Sequence, residues 1–122
     1  MNNITGDIIG CAIEVHRNLG PGLLESVYEK CLAKEFFIRG VSFHQQKQLL
    51  VDYKGLKIDN CEFRVDFLVA ECVIVEIKAV ERVIPVHHAQ VISYMKLSGC
   101  KLGLLINFNV TQLIKGVKRF IL

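Results

Sequence analysis

The sequence predicts an α/β domain of two or three layers, and three features of its hydrophobic pattern predict it. Apolar residues recur with a period near 3.6 through the first third of the chain. The period then drops to two across the middle, where strands are expected. A further helical stretch separates two strongly apolar strands toward the end.

In chain order, Ile4, Ile8, Ala12, Val15 and Leu19 recur at steps of 4, 4, 3 and 4, the spacing of an amphipathic helix. Leu19-Gly20-Pro21-Gly22 stops it, because Gly and Pro break helical backbone. A second helix carries Leu24, Val27, Tyr28, Cys31, Leu32 and Phe36 on its apolar stripe and ends near Gly40. Leu49, Val51 and Tyr53 alternate as a first strand, and Lys54-Gly55 makes a turn. Phe63, Val65, Phe67 and Val69 then alternate with Arg64, Asp66, Leu68 and Ala70. Val73 to Ala79 is apolar on both faces apart from Glu76 and Lys78, as expected of a central strand. A helix follows, beginning after Pro85 and running to about Ser98, then a buried strand from Leu102 to Phe108 and a short closing element from Val117 to Leu122. The order is α-α-β-β-β-α-β, without linker or repeat, so residues 1–122 are read as one domain.

Composition bounds the function. At 122 residues the chain can bury a core, and 52% hydrophobic content with mean hydropathy +0.37 is high for that length. No apolar run approaches the roughly 18 residues of a membrane span. Met1-Asn2-Asn3 lacks the basic start and apolar stretch of a secretory signal. A cytoplasmic protein without membrane contact is expected, its apolar surplus filling a sheet core or a homodimer interface. Cys11, Cys31, Cys61, Cys72 and Cys100 are odd in number and form no C-x-x-C pair, so reduced, buried thiols are expected. A net charge of +3 is compatible with a polyanionic partner without demanding one. Nucleotide-cofactor and serine-hydrolase readings find no glycine-rich phosphate loop and no Gly-x-Ser-x-Gly elbow.

The chemistry concentrates in Val73-Ile74-Val75-Glu76-Ile77-Lys78-Ala79. Side chains alternate along a strand, so Glu76 and Lys78 share a face. Charges on a buried strand are costly unless paired or liganded. A local Glu–Lys ion pair would satisfy them, and Asp66 offers a second answer. A hairpin turn centred on Glu71 sets Asp66 directly opposite Glu76, with Cβ atoms about 4.5–5.5 Å apart. Two carboxylates so placed repel unless a cation lies between them. A hard ion such as Mg²⁺, with oxygen ligands at about 2.1 Å, fits. The register requires a turn of odd length, since a slip of one residue would turn Asp66 to the other face. Lys78 beside that pair can orient a water or offset charge on a phosphate. The same hairpin sets Arg64 opposite Lys78, either to add positive charge for a phosphate or to pair with a carboxylate.

Asp66 followed by Glu76-Ile77-Lys78 resembles the D…E-x-K signature of the PD-(D/E)XK nuclease superfamily. Gly22-Leu23-Leu24-Glu25-Ser26-Val27-Tyr28 resembles the motif of the GxxExxY family assigned to it, and Asn18 to Gly22 and Ile106-Asn107-Phe108 extend the likeness over nearly the whole chain. The resemblance implies a restriction-endonuclease-like αβββαβ core, a mixed sheet flanked by helices, with the first helix as an addition. It implies a nuclease that uses Mg²⁺, or Mn²⁺ in its place, on nucleic acid, with DNA favoured. Glu25, Asp66, Glu76 and Lys78 would be catalytic. Asp66, Glu76 and the Ile77 carbonyl would bind metal, with Glu25 acting directly or through water. Glu25 would otherwise be a helix N-terminal charge complementing the dipole. Gln90 and Tyr94, one helical turn apart, resemble the superfamily's Q-x-x-x-Y element, though Tyr94 also suits a core. Val65 stands where the motif proline is usual. No added region for gripping DNA is evident, so a homodimer or larger assembly is a natural partner. A nuclease-fold module with weak or no catalysis, binding nucleic acid or a protein, is the rival reading. His87 and His88 are adjacent, point apart and lack metal-ligand spacing; His16 is expected at the surface.

Overall fold

The computed structural model describes residues 3–59 and 63–122. Helix α1, Ile4–Leu19, and helix α2, Glu25–Arg39, pack together across the Gly20-Pro21-Gly22 link. Gly20 (φ 69°) and Gly22 (φ 99°) lie in the left-handed region, which side chains with a Cβ resist. Tyr28 fastens this link from below. Its hydroxyl donates to the Gly20 carbonyl at 2.6 Å and accepts from the Leu23 N–H at 3.1 Å, while its ring stacks on Phe108 at 4.6 Å.

A five-stranded sheet has the order β1-β4-β5-β6-β7, formed by Phe43–Gln48, Arg64–Val69, Val73–Lys78, Leu102–Asn107 and Val117–Ile121. The β5–β6 pair is parallel and the other pairs are antiparallel, so the sheet is mixed. β2, Val51–Tyr53, and β3, Leu56–Ile58, form a separate two-stranded ribbon between β1 and β4. Helix α3, Pro85–Ser98, makes the crossover that a parallel β5–β6 pair requires. From α2 onward the elements α2, β1, β4, β5, α3 and β6 give the expected αβββαβ core, with α1 ahead of it and β7 as an added edge.

The layers are three. Ile8, Leu32 and Phe36 from α1 and α2 pack against Phe67, Val75 and Ile106 on one sheet face. Val91, Tyr94 and Met95 of α3 pack against Leu68, Ile74 and Leu105 on the other. β5 is central because only a strand apolar on both faces can be covered on both, and five of its six residues are buried. α3 lies against the β6 backbone at Gly103, where a β-carbon would come within 2.6 Å of the Met95 sulfur.

Several expectations change. The sheet's first strand is Phe43–Gln48, whereas Val51–Tyr53 belongs to the outlying ribbon and Leu49 is buried between them. Phe-His-Gln-Gln-Lys-Gln carries no alternation because β1 is an edge strand held by backbone bonds, with Phe43 alone packed against the core. Leu24 sits ahead of α2 rather than on its buried stripe and is 73% exposed, and Val27 is also exposed. His16 is buried rather than superficial, with Nε2 2.7 Å from the Val110 carbonyl, because α1 turns that side toward the loop after β6. Cys11 and Cys100 are buried and Cys31 is partly so, but Cys72 is exposed in the β4–β5 turn. Cys61 lies outside the described residues. No helix is long and apolar enough to cross a membrane among the described residues.

Candidate active site

The β4–β5 hairpin pairs Val69 with Val73 and leaves a three-residue turn, the odd length that the register needed. Ala70 (φ 52°) and Glu71 (φ 59°) make it by taking left-handed backbone. The ladder runs only to Phe67↔Val75. Past that point two carboxylates take the place of carbonyl acceptors. Glu76 Oε2 accepts the Asp66 N–H at 2.7 Å, and Asp66 Oδ2 accepts the Ile77 N–H at 2.8 Å. Asp66 and Glu76 thus interlock through bonds to the Ile77 and Asp66 N–H groups, not as a face-to-face ladder pair. The pairing that would set Arg64 against Lys78 is not formed, and Arg64 is exposed at the Gln48 end of the β1–β4 ladder.

Lys78 follows Ile74 and Glu76 on the α3 face by alternation. Its Nζ makes a long contact, 3.4 Å, to Gln90 Oε1, and Gln90 Nε2 donates to the Tyr94 hydroxyl at 3.1 Å. Lys78, Gln90 and Tyr94 therefore form one polar chain from sheet to helix. Tyr94 is also part of the α3-side core.

Glu76 is 4% exposed. Burial and then the Asp66 charge push its carboxyl up to about 8, against the bond from the Asp66 N–H and the Lys78 charge. Burial also lifts Asp66, to about 6, against the Ile77 N–H bond. Glu25, the first residue of α2, is shifted upward mainly by burial while Lys78 opposes the shift. Its field is felt at both Asp66 and Glu76.

Three residues at the site, Glu29, Gln45 and Gln46, lie outside every motif of the sequence. Glu29 lies one turn after Glu25 on α2, on the same side of the helix, and its charge also raises Asp66. Glu29 Oε2 accepts from Gln45 Nε2 at 2.9 Å and from Gln46 Nε2 at 2.8 Å. Gln46 Nε2 also lies 3.2 Å from Asp66 Oδ1, and Gln46 takes left-handed backbone at φ 54°. Glutamate at i+4 from Glu25 was visible in the sequence; a strained glutamine on an edge strand was not.

Asn107 is buried at the end of β6. Its Oδ1 accepts from the N–H groups of Val80 and Asn109 at 3.1 and 3.2 Å, and its Nδ2 donates to the Val80 carbonyl at 2.9 Å. It thereby pins the chain leaving Lys78. The adjacent histidines do diverge: His87 lines the same cavity as Lys78, and His88 packs edge-on against Phe120.

The donor chemistry fits a hard divalent cation: a buried carboxylate, Glu76, beside a half-buried one, Asp66, both with their charged forms disfavoured as they stand. Among the described residues, no three His, Cys, Asp or Glu side chains are grouped closely enough to hold an ion by themselves, so Glu25 stands outside the Asp66–Glu76 pair. Mg²⁺ commonly uses one or two carboxylates and fills its remaining positions with water and substrate phosphate. A family model described as the PD-(D/E)XK nuclease superfamily matches residues 2–120. Comparison with curated proteins and with solved structures returned no match.

Proposed function

The chain belongs to the PD-(D/E)XK nuclease superfamily, and from that premise we propose that it is a divalent-metal-dependent nuclease hydrolysing phosphodiester bonds, with DNA the favoured substrate. One observation carries this reading: the buried Glu76 and the half-buried Asp66 are interlocked carboxylates, and the charge of Lys78 is felt at Glu76. Such a group is expensive unless a cation relieves it.

Asp66 and Glu76 would hold Mg²⁺ or Mn²⁺, with the Ile77 carbonyl as a further oxygen ligand and Glu25 reaching the ion's water shell. Bound there, the ion supplies charge neutralisation at the phosphate and a more acidic water. Lys78 holds that water and the phosphate by its ammonium group. As the new P–O bond forms and the bond to the leaving oxygen breaks, Lys78 offsets the charge on the non-bridging oxygens. Gln90 and Tyr94 fix where the Lys78 ammonium sits. Arg64, exposed at the start of β4, is available to phosphates farther along the strand. The Gly22 to Tyr28 segment supports placement in the GxxExxY family: its glycine turn, its glutamate and the tyrosine that fastens the turn form one local unit.

The test is cleavage of labelled single- and double-stranded DNA and RNA with Mg²⁺, Mn²⁺ or EDTA. Cleavage should require the ion and fall at least about a hundred-fold in Lys78→Ala, the scale of losing one charge-stabilising group. Ion-independent cleavage, or full activity in Lys78→Ala, would overturn the proposal. A folded protein that binds nucleic acid but cuts nothing favours the non-catalytic module.

A further inference from the structure

Next to Lys78 lies a cavity of about 450 Å³. Phe63, Val86, Tyr94 and Leu97 give it an apolar lining, and Lys78 and Gln90 border it from the polar chain already described. Phe63 immediately precedes β4 and is 36% exposed, while Val86 is 61% exposed at the start of α3. His87 also lines it, with Nδ1 accepting the Ile84 N–H at 3.1 Å, so the neutral ring keeps its proton on Nε2 as a donor. A concave, mainly apolar site with an aromatic ring and a few polar groups is what an organic ring requires, and more than a phosphate needs.

We propose that this cavity receives an unpaired nucleobase beside the scissile phosphate, so that the preferred substrate is single-stranded or locally unpaired nucleic acid. The proposal rests on the nuclease reading only for the position of that phosphate. Lys78 is shared by the site and the cavity, so a strand with its phosphate at Lys78 has a neighbouring nucleotide at the cavity mouth. In a duplex that base is covered by its stacked neighbours and its edge is occupied by its partner, so the lining offers it nothing. A base already free of its stack gains the Phe63 ring and the apolar walls in exchange for water. His87 Nε2–H and the Ser93 hydroxyl supply polar contacts for a base edge.

The experiment measures anisotropy of labelled oligothymidylate and of a matched duplex in EDTA, for wild type, Phe63→Ala and Ser93→Phe. Mn²⁺ binding, thermal melts and cleavage of strands carrying a single abasic nucleotide accompany it. Phe63 and Ser93 are exposed positions outside the proposed catalytic group, and Ser93→Phe fills the cavity instead of emptying it. Each variant should weaken single-strand binding about ten-fold, the scale of one lost base stack, with duplex binding, melting and Mn²⁺ affinity unchanged. One abasic position should reproduce that loss in wild type and add nothing further in Phe63→Ala. Unchanged single-strand binding in both variants, or duplex bound as tightly as single strand, overturns the proposal. A wild type that takes up no Mn²⁺ and cuts nothing, yet binds oligothymidylate in a Phe63-dependent way, removes the nuclease reading and supports the cavity. A Mn²⁺-dependent nuclease indifferent to both substitutions does the reverse.

Discussion

Cation uptake should be proton-coupled, because Glu76, one of the two carboxyls that would hold the ion, is largely protonated without it. With Glu76 pushed up to about 8 and Asp66 to about 6, roughly nine-tenths of the former and a tenth of the latter carry a proton at pH 7. Binding needs both ionised, so about one proton leaves per ion at that pH. Summed over both groups, the apparent affinity should rise about a hundred-fold between pH 6 and pH 8. That corresponds to roughly 3 kcal/mol. Calorimetric titration of Mn²⁺ in buffers of different ionisation enthalpy reads the released protons directly, and the same titration at three pH values reads the affinity. The stability of the ion-free protein should move the other way. Both carboxyls titrate above their unfolded values, so the folded chain binds more protons than the unfolded one from about pH 4 to about pH 8. The melting temperature should therefore fall as pH rises through that window and recover on adding Mn²⁺. An affinity that ignores pH, with no proton released, would refute the reasoning.

Three further outcomes test the frame around the site. Gln46→Gly suits the left-handed backbone but removes the amide held by Asp66 and Glu29; melting should be unchanged or higher while cleavage falls about ten-fold or more, whereas full activity would discount Gln46 as a positioning residue. Gly103→Ala drives a methyl into Met95 and Val91, so denaturant unfolding should show a loss of about 1–3 kcal/mol. Asn107→Leu strands the Val80 N–H and carbonyl, and the same measurement should show a loss of about 2–3 kcal/mol.

What could be read in the sequence follows from where burial imposes a period. α1, α3, β5 and β6 press against a core on a regular face, so their apolar spacing marked them within a residue or two. β1 escaped because an edge strand is held by main-chain bonds that leave no side-chain pattern. The Asp66–Glu76 register was legible because Val65 to Val69 and Val73 to Ile77 fixed the turn length between them. The way the two carboxylates meet was not, since strand alternation describes side chains facing each other and not side chains replacing carbonyls. Gln46 was invisible for a related reason: its place depends on a backbone angle that glutamine seldom adopts.

The exchange of ladder acceptors for carboxylates has a consequence for how this chain can lose its chemistry. Asp66 and Glu76 are stitches in the sheet as well as the proposed charge at its opening, so erosion at either position unpicks the hairpin. Truncation to alanine leaves the Ile77 or Asp66 N–H without its acceptor, and the casualty is the fold before it is the reaction. Asparagine and glutamine keep an oxygen for those N–H groups while discarding the negative charge. A lineage abandoning the reaction but retaining the scaffold has a narrow exit through those two amides, and an engineer seeking a silent, well-folded binder should take the same one.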